Sequence, residues 1–206
     1  MPTVELISIT PNHMELLKTA CSQPYGKDVT DKSVKKIVES GHLSVLEHCS
    51  ASFLVTCSVR VLGQLTRHRH LSFTCKSARG SKFDVLELPH GDFAVFKDLS
   101  GVVMIPYQKA LEEGVPEQDA AYLLPQGVRT SIVVTGNFRA WYEYLPKRLC
   151  RRAMPEHREL AELIHQELAK AAPEIFDKTF MGCSDCKEQS CSFGHKKGDK
   201  NNDSNE

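Results

Sequence analysis

The chain opens on Val4-Glu5-Leu6-Ile7-Ser8-Ile9, a near-alternation of apolar and polar side chains that predicts a strand. Pro11-Asn12 then begin a helix that runs to about Cys21. A second helix is predicted over Lys32 to Ser40, with Asp31 as its N-cap and Gly41 just past its end, where a left-handed φ is wanted. Cys49 to Val59 is rich in β-branched and aromatic residues and reads as a strand. Arg60 to Arg67 places Val61, Leu62 and Leu65 at helical spacing. Thr130 to Val134 reads as another strand, followed by a helix from Asn137 to about Leu149 with a kink expected at Pro146. Glu156 to Ala172 carries Leu160, Leu163, Ile164 and Leu168 on one stripe, a helix that Pro173 should close. Strands and helices mix without a regular βα alternation, and no internal repeat is present. The expected fold class is therefore α+β.

Composition sharpens this picture. With 206 residues the chain suits one substantial domain. After about Phe180 the composition shifts to the polar run KKGDKNNDSNE, which predicts a division into a folded domain over 1–180 and a flexible tail over 181–206. The 26 Lys and Arg balance the 26 Asp and Glu, which argues against a globally basic nucleic-acid binder while allowing a local basic pocket. No apolar run of about 20 residues is present, so no membrane partner is expected, and MPTVELISIT lacks the flank and core of a signal peptide. A cytoplasmic location is the expectation. In a reducing compartment Cys21, Cys49, Cys57, Cys75 and Cys150 read as small apolar side chains or inert thiols.

The chemistry gathers in three places. Within the 13 residues from Arg67 to Arg79 stand Arg67, Arg69, Lys76 and Arg79, together with His68 and His70, and no carboxylate. Ser72 and Ser77 add neutral hydroxyls. Such a cluster asks for an anion if it is buried. Guanidinium forks suit phosphate and also the carbonyl oxygens of a flavin or a pyrimidine. A solvated basic turn or a nucleic-acid patch satisfies the same composition. His42, Glu47 and His48 form a second group whose spacing does not present them on one face, which disfavours a metal. Ser44 to Glu47 fits a capping box, S-x-x-E. The third group is Asn137, Arg139, Glu143, Lys147, Arg148, Arg151 and Arg152, among Trp141, Tyr142 and Tyr144.

RHR, seven residues, then Ser, at Arg67 to Ser77, is similar to the signature of the flavin-dependent thymidylate synthases. ESGHLSVLEH at 39–48, QLTRHR at 64–69, YLLP at 122–125, VVTGNFR at 133–139 and KRLCRRA at 147–153 extend the resemblance in collinear order over roughly residues 3 to 180. It implies a central, mostly antiparallel sheet covered by helices. It also implies an enzyme that holds FAD, takes electrons from NADPH and a carbon from methylenetetrahydrofolate, and turns dUMP into dTMP. Hydride passes from the flavin to the pyrimidine without an enzyme nucleophile, so the protein's task is positioning and electrostatic stabilisation.

Carried over by position, His42, Ser44, Arg67, His68, Arg69, Asn137 and Arg139 resemble flavin contacts. Gln64, Arg67, Ser77, Arg79 and Arg148 resemble nucleotide contacts, with Arg148 the arginine that polarises the pyrimidine. A homotetramer whose sites draw on several subunits is implied as well. Ala121 stands where the family usually has a phosphate-binding arginine, Met154-Pro155 replaces a commoner Gln-aromatic pair, and Glu143 replaces an amide or His. These departures keep two alternatives open: C5 methylation or hydroxymethylation of another pyrimidine nucleotide, UMP or dCMP, and a non-catalytic nucleotide-binding flavoprotein. In the tail, Cys183, Cys186, Cys191 and His195 have a spacing compatible with zinc, although with little apolar cover, and no metal is expected.

Overall fold

Four strands form one antiparallel sheet: β1 (Thr3–Ile9), β2 (Ser50–Ser58), β3 (Leu71–Cys75) and β4 (Arg129–Asn137), in the order β1-β2-β4-β3. The computed structural model describes residues 1–180 except Tyr25 and Asp92, and also Cys186, Glu188, Cys191 and Phe193. In the two central strands the period-two pattern sends one set of side chains into the core. Ala51, Phe53, Val55 and Cys57 of β2 are buried, as are Thr130, Ile132 and Val134 of β4. Their register, Phe53 opposite Val134 and Val55 opposite Ile132, sets these side chains beside one another. In β1 the register shifts between Leu6 and Ser8, and Ile7 between them is 48% exposed.

Helices α1 (His13–Ser22) and α2 (Asp31–Glu39) and a 3-10 turn over Leu43–His48 connect β1 to β2. Thr30, not Asp31, caps α2, its hydroxyl accepting from Ser33 N at 3.3 Å. Gly41 sits just beyond the helix at φ +89°, the conformation expected of it. The expected capping box at Ser44–Glu47 does not form; the segment tightens into the 3-10 turn, and Glu47 turns outward to an arginine on another element.

Ser58 ends β2 and caps α3 (Val59–Leu65), accepting from Val61 N at 3.1 Å. Beyond β3, the helices α4 (Ala94–Ser100), α5 (Ile105–Glu112) and α6 (Glu117–Ala120) and a 3-10 turn over Ala121–Leu123 lead to β4. Here Phe83, Met104, Tyr107, Ala120 and Val128 form a small second core. After β4 come α7 (Phe138–Arg148), α8 (Pro155–Ala171) and α9 (Pro173–Phe176), the last begun by Pro173 at its first position.

The main core lies between the sheet and these C-terminal helices. Trp141 packs edge-on to Phe53 at 5.1 Å and to Tyr144 at 5.6 Å, and its Nε1 donates to Ala51 O at 3.1 Å. This close seating needs Gly136: a Cβ there would meet Leu71 Cδ2 at 2.3 Å and Trp141 Nε1 at 3.2 Å. The architecture is α+β with an antiparallel sheet, as the sequence led us to expect.

Candidate functional site

α3 stops at Leu65, and the chain then turns tightly before entering β3. His68 N donates to Leu65 O at 3.0 Å and Leu71 N donates to His68 O at 3.0 Å. The turn holds Arg67, His68, Arg69 and His70 together opposite α7. Asn137 starts α7 by capping it, its Oδ1 accepting from Ala140 N at 2.8 Å. Eleven residues of helix, with Pro146 tolerated in the last turn, carry Tyr144, Lys147 and Arg148 to the same place.

His68 packs edge-on against Tyr144 at 4.8 Å and accepts a 2.7 Å hydrogen bond from Arg148 Nε at its Nε2. An Nε2 that accepts requires the ring proton on Nδ1, so His68 keeps one donor. Burial, then the charges of Arg148 and Lys147, pull its pKa down to about 4. At neutral pH the imidazole is an uncharged donor among cations. Arg148 also donates from Nη2 to Gln64 O at 3.4 Å.

A cleft of about 240 Å³ lies along this junction, lined by Arg67, His68, Arg69, His70, Leu71, Ala140, Glu143, Tyr144 and Lys147. A second, of about 470 Å³, continues from it past Leu43, Tyr142, Pro146 and Phe180, sharing Glu143 and Lys147. A larger cavity, about 520 Å³, lies elsewhere between α4, the head of α8 and residues 86–90 and 125–127, and its walls are mainly apolar.

The other predicted residues are spread differently. His42 and Ser44 are exposed on the 3-10 turn beside α7 and do not line the 240 Å³ cleft. Arg139 is held between two carboxylates, donating from Nη1 to Glu47 at 2.6 Å and from Nε to Glu143 at 2.8 Å. Ser77 and Arg79 are exposed in the loop after β3, where Ser77 Oγ accepts from Arg79 N at 3.2 Å. Within one chain, then, Arg67, His68 and Arg69 line the cleft, Arg148 and Gln64 join them behind it through His68 and the Gln64 carbonyl, and His42, Ser44, Ser77, Arg79, Asn137 and Arg139 are not part of the lining.

Tyr144 and Lys147 stood in the third sequence group without an assigned role, and His157 was missed altogether. His157 is fully buried against Gln64, 5.9 Å from Tyr144 and 6.4 Å from His68 by ring centroids. Its signal was there: the stripe of α8, extended back one turn from Leu160, reaches position 157. Among the described residues no group of three or more His, Cys, Asp or Glu side chains could hold a metal. Cys183 and His195 lie outside the described residues, and the tail motif with them. Nor is any described helix long and apolar enough to cross a membrane. The buried thiols are poor nucleophiles: burial pushes Cys49 up to about 11 and Cys57 up to about 12.

The donor set suits a flavin. Arg67, Arg69, Lys147 and a neutral His68 offer hydrogen bonds to ring carbonyls or phosphates, and the one carboxylate in the lining, Glu143, is engaged by Arg139. Tyr144 adds a buried hydroxyl without a hydrogen-bond partner among the described residues. A cationic cleft on an α+β scaffold suits the binding and orienting of an anionic or carbonyl-rich ligand.

Residues 5–174 match the family described as "Thymidylate synthase complementing protein". The chain is 34% identical to the flavin-dependent thymidylate synthase of Saccharolobus solfataricus over 204 residues, covering 89% of this chain and 78% of that one. It is 37% identical to that of Sulfurisphaera tokodaii over 170 residues, covering 76% and 66%. Among solved structures, a UMP/dUMP methylase from Streptomyces cacaoi bound with 5-Br dUMP superposes with a TM-score of 0.71 at 25% identity, covering 86% of this chain and 93% of that one. The chain belongs to the flavin-dependent thymidylate synthase family and is an enzyme of methyltransferase type.

Proposed function

We propose that this enzyme methylates dUMP to dTMP, with FAD as bound cofactor, methylenetetrahydrofolate as carbon donor and NADPH as reductant. The observation that carries this reading is the 2.7 Å bond from Arg148 to His68, which ties the basic turn after α3 to the end of α7. Arg67, His68 and Arg69 would hold the flavin, whose bound form supplies the hydride. Asn137, whose oxygen caps α7, would add its amide NH2 to the flavin contacts, and Arg139 is fixed by Glu47 and by Glu143 of the cleft lining. Arg148, with Nε on His68 and Nη2 on Gln64 O, retains donors for a pyrimidine carbonyl. Its fixed charge would favour an electron-rich ring, the kind of preorganised stabilisation that acts in the transition state. Gln64, Arg67, Ser77 and Arg79 complete the nucleotide contacts.

The cleft at the basic turn, about 240 Å³, is below the roughly 300–1,000 Å³ usual for a small-molecule site. A dinucleotide cofactor therefore needs further walls. A homotetramer would provide them, and would bring His42, Ser44, Ser77 and Arg79 of neighbouring copies to the pocket. In this reading residues 1–180 are the catalytic domain and 181–206 an appended tail.

UMP is the second reading, favoured by the Streptomyces neighbour, whose description includes it, and by Ala121 in the 3-10 turn before β4. Tritium release from 5-tritiated dUMP, UMP and dCMP by the yellow, flavin-bearing protein tests both. Release from dUMP above the others supports the proposal. Release from UMP or dCMP alone overturns the assignment of dUMP, and a colourless protein overturns the flavin assignment.

A further inference from the structure

We propose that His157 is a positioning residue that locks the Gln64 side chain for the pyrimidine nucleotide, an inference that rests on the reading of Gln64 as a nucleotide contact. The stripe of α8 that enters the core is otherwise aliphatic or small: Leu160, Ala161, Ile164 and Leu168 are all fully buried. His157 heads that stripe and is fully buried too, although an imidazole brings two polar nitrogens where a leucine would bring none. One of them, Nδ1, lies 3.3 Å from Gln64 Oε1, and the other, Nε2, has no hydrogen-bond partner among the described residues.

The chemistry of the partners fixes which way each group points. Gln64 Nε2 faces Met154 Sδ at 3.3 Å, and a thioether sulfur can only accept, so the amide nitrogen belongs on that side. The amide oxygen is then turned to His157, and the hydrogen between them comes from Nδ1. This leaves Nε2 as a bare lone pair, a cheaper orphan than a buried N–H would be. Burial holds the ring neutral, with its pKa drawn down to about 3, as this tautomer requires.

Met154, just before α8, and His157, in its first turn, therefore grip opposite ends of one amide. Gln64 in turn accepts from Arg148 at its backbone carbonyl, and Arg148 bonds His68. His157 is thus linked through Gln64 and Arg148 to His68, which lines the basic cleft, while neither His157 nor Gln64 is part of that lining.

The test is dUMP binding to the flavin-loaded enzyme by equilibrium dialysis, comparing wild type with His157→Leu, His157→Asn, Gln64→Ala and the double variant Gln64→Ala/His157→Leu. Asn can place a donor where Nδ1 stands; Leu fills the space without one. His157→Leu should raise the dUMP Kd by about tenfold, the loss of one hydrogen-bond partner left unmet. Flavin content should be unchanged, and His157→Asn should bind nearly as wild type. The double variant should bind no worse than Gln64→Ala alone, because His157 has nothing left to position.

If Gln64→Ala weakens dUMP binding and His157→Leu does not, the positioning role is wrong while the nucleotide reading stands. If Gln64→Ala has no effect, the reading of Gln64 as a nucleotide contact fails and the inference with it. A double variant worse than Gln64→Ala also overturns the inference. Should the leucine variant not fold, long-range proton–nitrogen NMR of wild-type holoenzyme decides: the Nδ1–H tautomer of His157 supports the proposal and the Nε2–H tautomer overturns it.

Discussion

Replacing Glu156 by alanine should destabilise the protein well beyond the usual effect of a single change at a cleft. The carboxylate is 8% exposed and accepts two hydrogen bonds from one residue, Ser58 N to Oε1 and Ser58 Oγ to Oε2, both at 2.7 Å. Ser58 itself is 1% exposed and also caps α3. One side chain thus pins the head of α8 to the junction of β2 and α3, the helix that leads into the basic turn. A hydrogen bond to a charged group contributes about 1.5–3 kcal/mol, so two give about 3–6 kcal/mol. Both residues also line the 520 Å³ cavity, where water can replace part of what is lost. That places the expected loss near the lower end, about 3 kcal/mol. For a chain of this size it corresponds to a fall in Tm of roughly 6–12 °C. Glu156→Gln keeps an acceptor for Ser58 N and forfeits the charge, so it should cost about 1–1.5 kcal/mol. Urea unfolding of the flavin-loaded protein, followed by far-UV circular dichroism, measures both. An alanine variant within about 0.5 kcal/mol of wild type would refute the reasoning, that being the scatter of surface changes that touch nothing. A glutamine variant as damaged as alanine would show that charge, and not hydrogen bonding, carries the effect.

Arg69→Ala should release the flavin, seen as loss of the visible absorbance of the purified protein, while far-UV dichroism stays that of wild type, because Arg69 is exposed and holds no part of the core. Arg148→Ala should slow tritium release from dUMP by roughly a hundredfold or more, the usual result of losing one transition-state donor. The same variant should raise the His68 pKa, which NMR titration can follow, since the Arg148 charge contributes after burial to lowering it. Stability should depend on pH through His68 and His157, whose pKa values lie near 4 and 3 in the folded protein. The unfolded chain binds their protons from about pH 6.5 downward, so it holds more protons than the native state below that point. Stability should therefore be flat on this account above about pH 7, fall as pH drops from 6.5 toward 3, and fall less steeply in His157→Leu. Urea midpoints between pH 4 and 8 check the sign; rising stability on acidification would contradict it.

Residues differ in how clearly their sequence announced them. The strand that carries Phe53 and Val55 was readable from the β-branched and aromatic residues of 49–59, although the apolar Leu54 between them points out of the core at 38% exposure. β3 hid inside the basic run because it is an edge strand bonded only to β4, with Leu71 its one buried side chain. The helices between Ala94 and Ala120 were not readable. They are short, and α4 has no fully buried residue to impose a stripe. Ser44 and Glu47 have the spacing of a capping box, yet Glu47 bonds Arg139, 92 residues later in the chain. A local pattern lost to a distant partner. The triplet Arg67-His68-Arg69 stood out because four cations gather between residues 67 and 79 without a carboxylate. His157 did not, because one histidine at the head of an aliphatic stripe looks like core until Gln64 is seen beside it.

If the cleft between the basic turn and α7 supports flavin-dependent methylation of dUMP, flavin oxidation and nucleotide methylation must be coupled one to one. A single anaerobic turnover tests it most directly. Holoenzyme reduced with NADPH is mixed with methylenetetrahydrofolate and dUMP, and flavin absorbance and nucleotide mass are followed together. dTMP should appear in amounts equal to the flavin reoxidised, with Arg148→Ala slow in both. Flavin that stays reduced while dTMP forms, or reoxidation that yields no methylated nucleotide, would contradict it.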